Sequence, residues 1–211
     1  MSLLPLVLAT RNPGKLRELA APLAMRGFAV QVPPDAMPDV EETGTSFEEN
    51  ALLKARAAAA FTGLPALADD SGLEVDALGG EPGVHSARYA DDAPDARPDD
   101  ERAVRDARNN RKLLKALADP ALPRSARFRC CMALVWPGGT KADLVAHGAW
   151  EGSITHSPRG SNGFGYDPLF LDPASGRTGA ELTLEEKKAR SHRGKALARL
   201  LEALDEARHT R

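Results

Sequence analysis

The sequence predicts an α/β fold in which a mixed β-sheet is covered by helices. Apolar runs of strand length alternate with helical patterns in the first half of the chain. In the second half a long apolar run is followed by a Pro-Gly-Gly turn, which predicts a hairpin. With 211 residues the chain is long enough for a single domain, residues 1–211, made of two lobes around a central cleft.

The chain should open as strand, loop, helix and strand. An uninterrupted apolar run predicts the first strand at 3–9. Asn12 before Pro13 predicts a helix start, because proline tolerates the first helical position and asparagine caps it. Gly27 should end this helix, and the second strand should lie within 28–32.

A second helix and a third strand should follow. Ser46 and Glu49 have the spacing of a capping box, and Gly63 is placed to end the helix. The chain should then return over 65–73 as a short strand whose end carries Asp69, Asp70 and Ser71.

The second half should contain a helix, the hairpin, a glycine-rich loop and helices at the C-terminus. In chain order the ranges are 102–118 for the helix, 128–136 and 142–149 for the hairpin, 157–165 for the loop, and a final stripe of Leu197, Leu200, Leu201 and Leu204.

Composition excludes several functional classes. The chain is 42% hydrophobic and 27% charged with a formal net charge of −2, so no basic stripe favours nucleic acid. No stretch approaches the roughly 20 apolar residues that span a bilayer, and 1–10 is interpreted as a strand rather than a signal peptide. Neither a membrane nor a nucleic acid is expected as a partner.

The two cysteines, Cys130 and Cys131, are adjacent. In a strand their side chains should point to opposite faces, so neither a disulfide nor a metal-binding pair of the two is expected. A reducing cytoplasm fits this cysteine usage best.

The segment from Thr10 to Lys15 is a candidate anion site. A helix N-terminus offers unpaired N–H groups and the positive end of the helix dipole, and Lys15 adds a full charge. Gly14 would let a phosphate approach the backbone. The spacing of a Walker loop is absent. The alternative is an ordinary capped helix with a solvated lysine.

Asp69 and Asp70 are a candidate cation site. Neighbours on a strand point opposite ways, so one carboxylate can face the cleft while the other anchors the turn. The carboxylate that faces the cleft could bind Mg²⁺, which prefers oxygen ligands, or accept a proton from water. The alternative is a surface turn of the Asp-Asp-Ser-Gly kind.

Glu41 or Glu42 could add a further carboxylate to the metal, and Lys54 could contact phosphate. Asn50 and Lys54 are one helical turn apart and project from one face. The alternative for all of these is a solvated charged surface.

The loop from Gly163 to Pro168 places an aromatic ring between glycines, which suits stacking on a nucleotide base. Its alternative is an aromatic plug of the core. Near the last helices, His192 and Arg193 offer hydrogen-bond donors that could contact a purine carbonyl. The alternative is that they are solvated charges beside a helix cap at Ser191.

Taken together, these segments predict a nucleotide hydrolase.

The chain resembles the inosine triphosphate pyrophosphatase family, which acts on deaminated or non-standard purine nucleoside triphosphates. The similarity runs in order through almost the whole chain except 91–127, and the matching segments are LATRNPGK, EETGTSFEENALLKA, ALADDSGLEVDALGG, PGVHSARYA, NGFGYDPLF and ELTLEEKKARSHRG.

The resemblance implies Mg²⁺-dependent hydrolysis of ITP, dITP and XTP to the monophosphate and pyrophosphate, which cleanses the nucleotide pool. It also implies an elongated mixed sheet and a homodimer. Asp70 is similar to the catalytic metal ligand and Glu42 to a second metal carboxylate. The implied substrate contacts are Thr10, Arg11, Asn12, Pro13, Gly14, Lys15, Lys54, Ser71, Phe164, Gly165, Tyr166, Asp167, Lys187, His192 and Arg193.

Two rival functions remain open on the sequence. One is a phosphohydrolase for another damaged nucleotide, such as a modified pyrimidine triphosphate. The other is a nucleotide sensor that uses the same pocket without turnover.

Overall fold

The fold is known from a computed structural model that describes residues 3–209. The strands are β1 (Leu4–Leu8), β2 (Phe28–Gln31), β3 (Ala66–Val75), β4 (Ser125–Val135), β5 (Leu144–Ile154), β6 (Phe170–Asp172) and β7 (Arg177–Thr178). The α-helices are α1 (Pro13–Met25), α2 (Phe47–Thr62), α3 (Arg102–Ala116), α4 (Leu184–Arg190) and α5 (His192–His209).

The strands form one mixed sheet, in the order β2-β1-β3-β4-β5-β6-β7. Strand β1 pairs in parallel with both β2 and β3, while β6 pairs antiparallel with β5 and β7. The α/β class and the mixed sheet are therefore confirmed.

Several boundaries differ from the predicted ones. Strand β3 is ten residues long, so the acidic pair lies inside the strand and not at its end. The C-terminal helical region is two helices that meet at Ser191. The short strands β6 and β7 were not predicted, because three and two residues are too few to give a periodic signal.

The predicted helix caps are present. The Asn12 side chain accepts from the Gly14 N–H at 2.9 Å, with Pro13 at the first helical position. Ser46 and Glu49 form the capping box of α2, and Gly63 ends that helix in the left-handed region with φ 67°. These caps satisfy backbone donors that a helix start leaves without partners.

By contacts the chain divides into two compact units. The first comprises Met1–Asp70, Cys130–Gly148 and His192–Arg211, and the second comprises Ser71–Arg129 and Ala149–Ser191.

Within the first unit, the sheet buries side chains on both faces. One cluster joins alternate residues of the strands, such as Leu8 and Cys130, to apolar residues of α1 and α5. The other joins the intervening residues, such as Val7 and Cys131, to the alanines of α2. The prediction that Cys130 and Cys131 face opposite sides is confirmed, and both are free thiols.

The second unit has its own core. Phe170 lies at its centre, with ring centroids 4.6 Å from Phe128 and 4.9 Å from Trp150. The Trp150 indole N–H donates to Asp172 at 3.0 Å, so this buried ring has its polar atom satisfied.

No helix within residues 3–209 is both long enough and apolar enough to cross a membrane.

Candidate active site

Asp69 and Asp70 of β3 are both buried, and strand alternation sends them to opposite faces of the sheet. Asp69 lies on the face of α1 and α5, with Lys15 and Arg193. Asp70 lies on the face of α2, with Lys54. The pair therefore serves two separate charge clusters of the first unit.

The Asp70 cluster brings together two carboxylates and one ammonium group. Lys54 Nζ lies 2.7 Å from Asp70 Oδ1 and 2.7 Å from Glu42 Oε1. Asn50 Nδ2 donates to Asp70 Oδ2 at 3.4 Å. Of the two candidate glutamates, Glu42 is the one whose carboxylate contacts the same Lys54 ammonium group as Asp70.

Helix α2 and the loop before it position this cluster. Asn50 and Lys54 are one turn apart, as the spacing predicts, and both reach Asp70. Asn50 also fixes the loop, because its Oδ1 accepts from the Gly44 N–H at 2.8 Å. A Cβ at Gly44 would lie 2.7 Å from that same oxygen, so the loop passes close to Asn50.

The Asp69 cluster is an ion-pair network in the core. Arg193 donates through Nη1 to Glu18 at 2.6 Å and through Nε to Asp69 at 3.1 Å. Lys15 Nζ lies 3.1 Å from Asp69 Oδ1. Arg193, Glu18 and Asp69 are all buried, so their charges compensate one another away from water.

The two aspartates differ in pKa because their partners differ. Burial opposes ionisation of Asp69, but Lys15, Arg193 and Lys54 outweigh it and hold the pKa of Asp69 well below its ordinary value. For Asp70 burial prevails over Lys54, and its pKa is raised. Asp69 is thus fixed as an anion, whereas Asp70 has the greater proton affinity.

The two lysines also differ in pKa. Burial lowers the pKa of Lys15, with Lys54 and Arg193 acting in the same direction against the Asp69 carboxylate. Burial would lower the pKa of Lys54 too, but Asp70 and Glu42 raise it above the ordinary value. Lys54 is therefore the more firmly charged of the two.

The segment before α1 is a capped helix start. Thr10 Oγ1 accepts from the Asn12 N–H at 3.1 Å, and Gly14 is buried in the first turn of α1 after Pro13. Lys15 is not a solvated lysine, because its side chain is only 15% exposed and bound to Asp69. Arg11 instead extends to the loop at Met37 and Asp39, 2.8 and 2.7 Å away.

In the second unit, Asp167 organises the aromatic loop. Its Oδ2 accepts from the Phe164 N–H at 2.8 Å and from Lys187 Nζ at 2.6 Å. Gly163 has φ 76°, and a Cβ there would lie 2.1 Å from Asp167 Oδ2. Only glycine fits this turn, because both the backbone angle and the space exclude a side chain.

The Phe164 ring is held beside two cations. Lys187 Nζ lies 4.9 Å and Arg102 Cζ 4.7 Å from its centroid, which is the range of cation–π attraction. Tyr166 is buried and donates its hydroxyl to the Ser86 carbonyl at 2.9 Å. Phe164 is thus presented by the loop, while Tyr166 belongs to the core.

Helix α3 adds residues that the sequence reasoning missed. Asp106 accepts from the Gly165 N–H at 2.8 Å, and Asn110 donates to the Gly165 carbonyl at 3.0 Å. With Arg102 they form a stripe at four-residue spacing along one helix face. That spacing was the available signal, although it falls in the range without family resemblance.

Glu18 was also missed, and its signal was its position three residues after Lys15 on α1. Ser71 follows Asp70 inside β3. His192 is the buried first residue of α5, and a Cβ at Gly148 of β5 would lie 2.0 Å from its carbonyl oxygen. Strand and helix therefore meet with no space for a side chain.

The Asp70 cluster fits a magnesium ion by the chemistry of its donors. Glu42 and Asp70 supply carboxylate oxygens, which are hard ligands of the kind Mg²⁺ prefers, and Asn50 donates its amide N–H to Asp70. The Lys54 ammonium between the two carboxylates shows that they converge on one positive charge.

Fold and site together define an α/β protein in which strand β3, inside the sheet, carries an acidic pair neutralised by two lysines and an arginine. The model of the Ham1 family matches residues 6–203, so the chain belongs to the Ham1 family.

The chain is 60% identical over 201 residues to a protein of Nitratidesulfovibrio vulgaris named dITP/XTP pyrophosphatase, covering 93% of this chain and 94% of that one. A protein of the same name from Methylococcus capsulatus is 54% identical over 202 residues, covering 94% and 95%. The solved structure of a HAM1 protein from Coxiella burnetii is 47% identical, with a TM-score of 0.81 over 97% of this chain and 100% of that one.

Proposed function

We propose that this protein is a Mg²⁺-dependent nucleoside triphosphate pyrophosphatase that hydrolyses dITP, ITP and XTP to the monophosphate and pyrophosphate. Its Ham1 relatives of 60% and 54% identity carry the name dITP/XTP pyrophosphatase. The observation that carries the proposal is that the carboxylates of Glu42 and Asp70 both contact the Lys54 ammonium group. The same unit also contains Lys15, in the first turn of α1.

Asp70 is the proton acceptor in this mechanism. A water molecule attacks the α-phosphorus, and its proton passes to the Asp70 carboxylate. The bond from the α-phosphorus to the bridging oxygen breaks, and pyrophosphate leaves with the electron pair. Asn50 orients the carboxylate through its amide.

Charge neutralisation is the second contribution of the site. Asp70 and Glu42 would hold Mg²⁺, which supplies charge stabilisation and orientation of the phosphates when bound. Lys54 and Lys15 add positive charge where the leaving group develops negative charge. The N–H groups at the start of α1 and the Thr10–Lys15 segment suit the triphosphate.

Base selection rests on stacking and on donors. Phe164 offers a ring for stacking, and Lys187 is held beside it by Asp167. Hypoxanthine and xanthine have a carbonyl at C6, whereas adenine has an amino group that would leave a donor unpaired, at a cost of about 1–3 kcal/mol. His192 and Arg193 remain the predicted donors, and in this structure the Arg193 guanidinium contacts Glu18 and Asp69.

The physiological role follows from the substrates. Removal of deaminated purine triphosphates would keep them from polymerases and so cleanse the nucleotide pool. A cytoplasmic location and a homodimer remain predictions that accompany this role.

A substrate panel tests the proposal. Purified protein with Mg²⁺ is given ITP, XTP, dITP, GTP, ATP and dUTP side by side, and pyrophosphate and orthophosphate are measured separately. We expect pyrophosphate from the three deaminated purines and little product from ATP. Preference for dUTP would favour the pyrimidine alternative, orthophosphate would exclude attack at the α-phosphorus, and binding without turnover would favour the sensor.

A further inference from the structure

A second group of potential metal ligands lies in the first unit, apart from the Glu42–Asp70 pair. The carboxylate of Glu48, the thiol of Cys131 and the imidazole of His147 offer ligand atoms that all lie within 4.8 Å of one another. The proposed function uses none of these three residues.

The topology explains why they meet. Strands β4 and β5 are neighbours in the sheet, and Cys131 belongs to the core cluster on the face of α2. Val145, two residues before His147 on β5, packs against the same cluster, so strand alternation places His147 on that face. Glu48 is in the first turn of α2, which lies over this face.

The three side chains differ in exposure in a way that suits an ion entering from solvent. Cys131 is fully buried, whereas the side chains of Glu48 and His147 are 49% and 50% exposed. The two exposed groups already contact each other, with His147 Nε2 3.1 Å from Glu48 Oε2. Being exposed, they have room to rotate around an ion at the sulfur.

Burial and nearby carboxylates both act on the Cys131 sulfur. Burial, together with the carboxylates of Glu48, Asp70 and Asp69, raises the pKa of the Cys131 thiol to about 12. The same negative charges that disfavour a thiolate alone would favour a divalent ion beside it.

We propose that Glu48, Cys131 and His147 form a binding site for a borderline-soft divalent transition metal of the Zn²⁺ or Co²⁺ class. One sulfur, one imidazole nitrogen and one carboxylate oxygen are ligands that zinc accepts, at bond lengths of about 2.0–2.3 Å, with water in the fourth position. Mg²⁺ is not the ion for this site, because magnesium requires oxygen ligands.

Binding is a proton exchange at the sulfur. The S–H bond of Cys131 breaks, a metal–sulfur bond forms with the sulfur electron pair, and the proton is released to solvent. The ion would connect α2 to β4 and β5, so it would stabilise the folded chain in proportion to its occupancy.

Cobalt provides a direct test. The whole protein, reduced with a non-thiol reductant and kept in excess Mg²⁺, is titrated with Co²⁺, and absorption is followed in the near ultraviolet, where thiolate-to-cobalt charge transfer occurs. We expect the band to saturate at one equivalent, one proton to be released per ion, and Zn²⁺ to abolish the band. Absence of the band would overturn the proposal.

Matched variants identify the ligands. Cys131→Ala should abolish the band and Cys130→Ala should retain it, because Cys130 lies on the opposite face. His147→Ala should weaken Co²⁺ binding by at least about tenfold, because mutation even of residues that only support metal ligands lowers the metal affinity by about 10–100-fold. The exposed His156 provides the control, since His156→Ala should leave the affinity unchanged.

The proposal stays testable if Cys131→Ala fails to fold. Glu48→Gln and His147→Ala change exposed side chains and leave the core intact. Unchanged Co²⁺ affinity in both variants would overturn the assignment, as would a band that persists without Cys131. The readout does not involve nucleotide hydrolysis, so this proposal and the proposed function fail independently.

Discussion

At the scale of single residues, adjacent positions in one strand have opposite chemical environments. Asp69 is surrounded by Lys15 and Arg193, which keep it ionised, whereas Asp70 has a raised pKa beside Lys54. The two aspartates are consecutive in β3, but their side chains point to opposite faces of the sheet and so have different neighbours. A carboxylate that is fixed as an anion and one with a greater proton affinity thereby lie side by side.

Asp70→Asn should keep the fold and remove the proton acceptor. We expect kcat for ITP to fall by about 10²–10⁴, the usual contribution of general acid–base catalysis. Steady-state kinetics at saturating Mg²⁺ measure it, with circular dichroism to verify folding. Glu41→Gln, which changes the exposed neighbour of Glu42, is the control. Turnover near that of the wild type would remove Asp70 from the mechanism.

Arg193→Ala should act first on stability. The change leaves the buried carboxylates of Glu18 and Asp69 without their shared cation, and breaking a buried pair costs about 3–5 kcal/mol. Urea unfolding measures the loss. Glu202→Ala, at an exposed position on the same helix, should cost less than about 1 kcal/mol. An unchanged free energy of unfolding for Arg193→Ala would mean that this network does not stabilise the fold.

At the scale of elements, helices fix the loops that carry the candidate site. Helix α2 holds the Gly44 loop through Asn50 and the Asp70 carboxylate through Lys54. Helix α3 holds the aromatic loop through Asp106 and Asn110. Because helices are rigid, a stripe of polar side chains on one face can hold a glycine-rich loop in one conformation.

Asp106→Ala should loosen the Phe164 loop. It removes a charged acceptor of the Gly165 N–H, and bonds to charged groups contribute about 1.5–3 kcal/mol. If Phe164 stacks on the base, KM for ITP should rise by about tenfold or more, with a smaller change in kcat. Val104→Ala, an exposed position on the same helix, is the matched control. An unchanged KM would separate α3 from substrate binding.

The start of α4 should be sensitive to acid. Hydrogen bonds from Arg177, and from the backbone and side chain of Thr183, lower the pKa of Glu186 to about 2. A carboxyl whose folded pKa is depressed stabilises the fold above its unfolded pKa, about 4.3, and this stability is lost as the pH falls toward 2. Glu186→Gln should therefore lower the free energy of unfolding at pH 6 and flatten its dependence on pH between about 4.3 and 2.

Glu185→Gln serves as the comparison for Glu186→Gln, since Glu185 contacts Lys188 on the exposed surface at 3.0 Å. Chemical unfolding at a series of pH values measures both variants. If the free energy of unfolding fell as steeply with decreasing pH in Glu186→Gln as in the wild type, the assigned role of this carboxylate would be contradicted.

At the scale of the whole molecule, the first unit is assembled from segments far apart in the chain. Arg193 is 124 residues from Asp69 and 175 residues from Glu18, yet it contacts both. Strands β3, β4 and β5 each contribute residues to both units. The acidic pair thus depends on completed tertiary structure for its charge balance.

We expect the protein to be a homodimer, as the family resemblance implies. Leu53 and Phe61 of α2 are 39% and 49% exposed, which is apolar surface available to a partner. Sedimentation equilibrium should give twice the chain mass of 22.5 kDa. The denatured chain provides the reference for a single copy. A mass of one chain at every concentration tested would contradict this expectation.

Local rules were enough to predict much of this protein. Apolar runs that alternate with helical patterns predicted the α/β class. Capping residues predicted the helix starts at Asn12 and Ser46, and strand alternation predicted the opposed faces of Cys130 and Cys131, because each depends on close neighbours in the chain. The acidic pair and the aromatic loop were recognisable for the same reason.

Tertiary structure alone decided which partner each charged group has. The sequence predicts Arg193 as a donor for a base, and it does not reveal that packing brings the Arg193 guanidinium to Glu18 and Asp69. Packing likewise brings α3 to Gly165 and extends β3 past the acidic pair. Local periodicity cannot fix such contacts, since they join residues tens to more than a hundred positions apart and depend on how the elements pack.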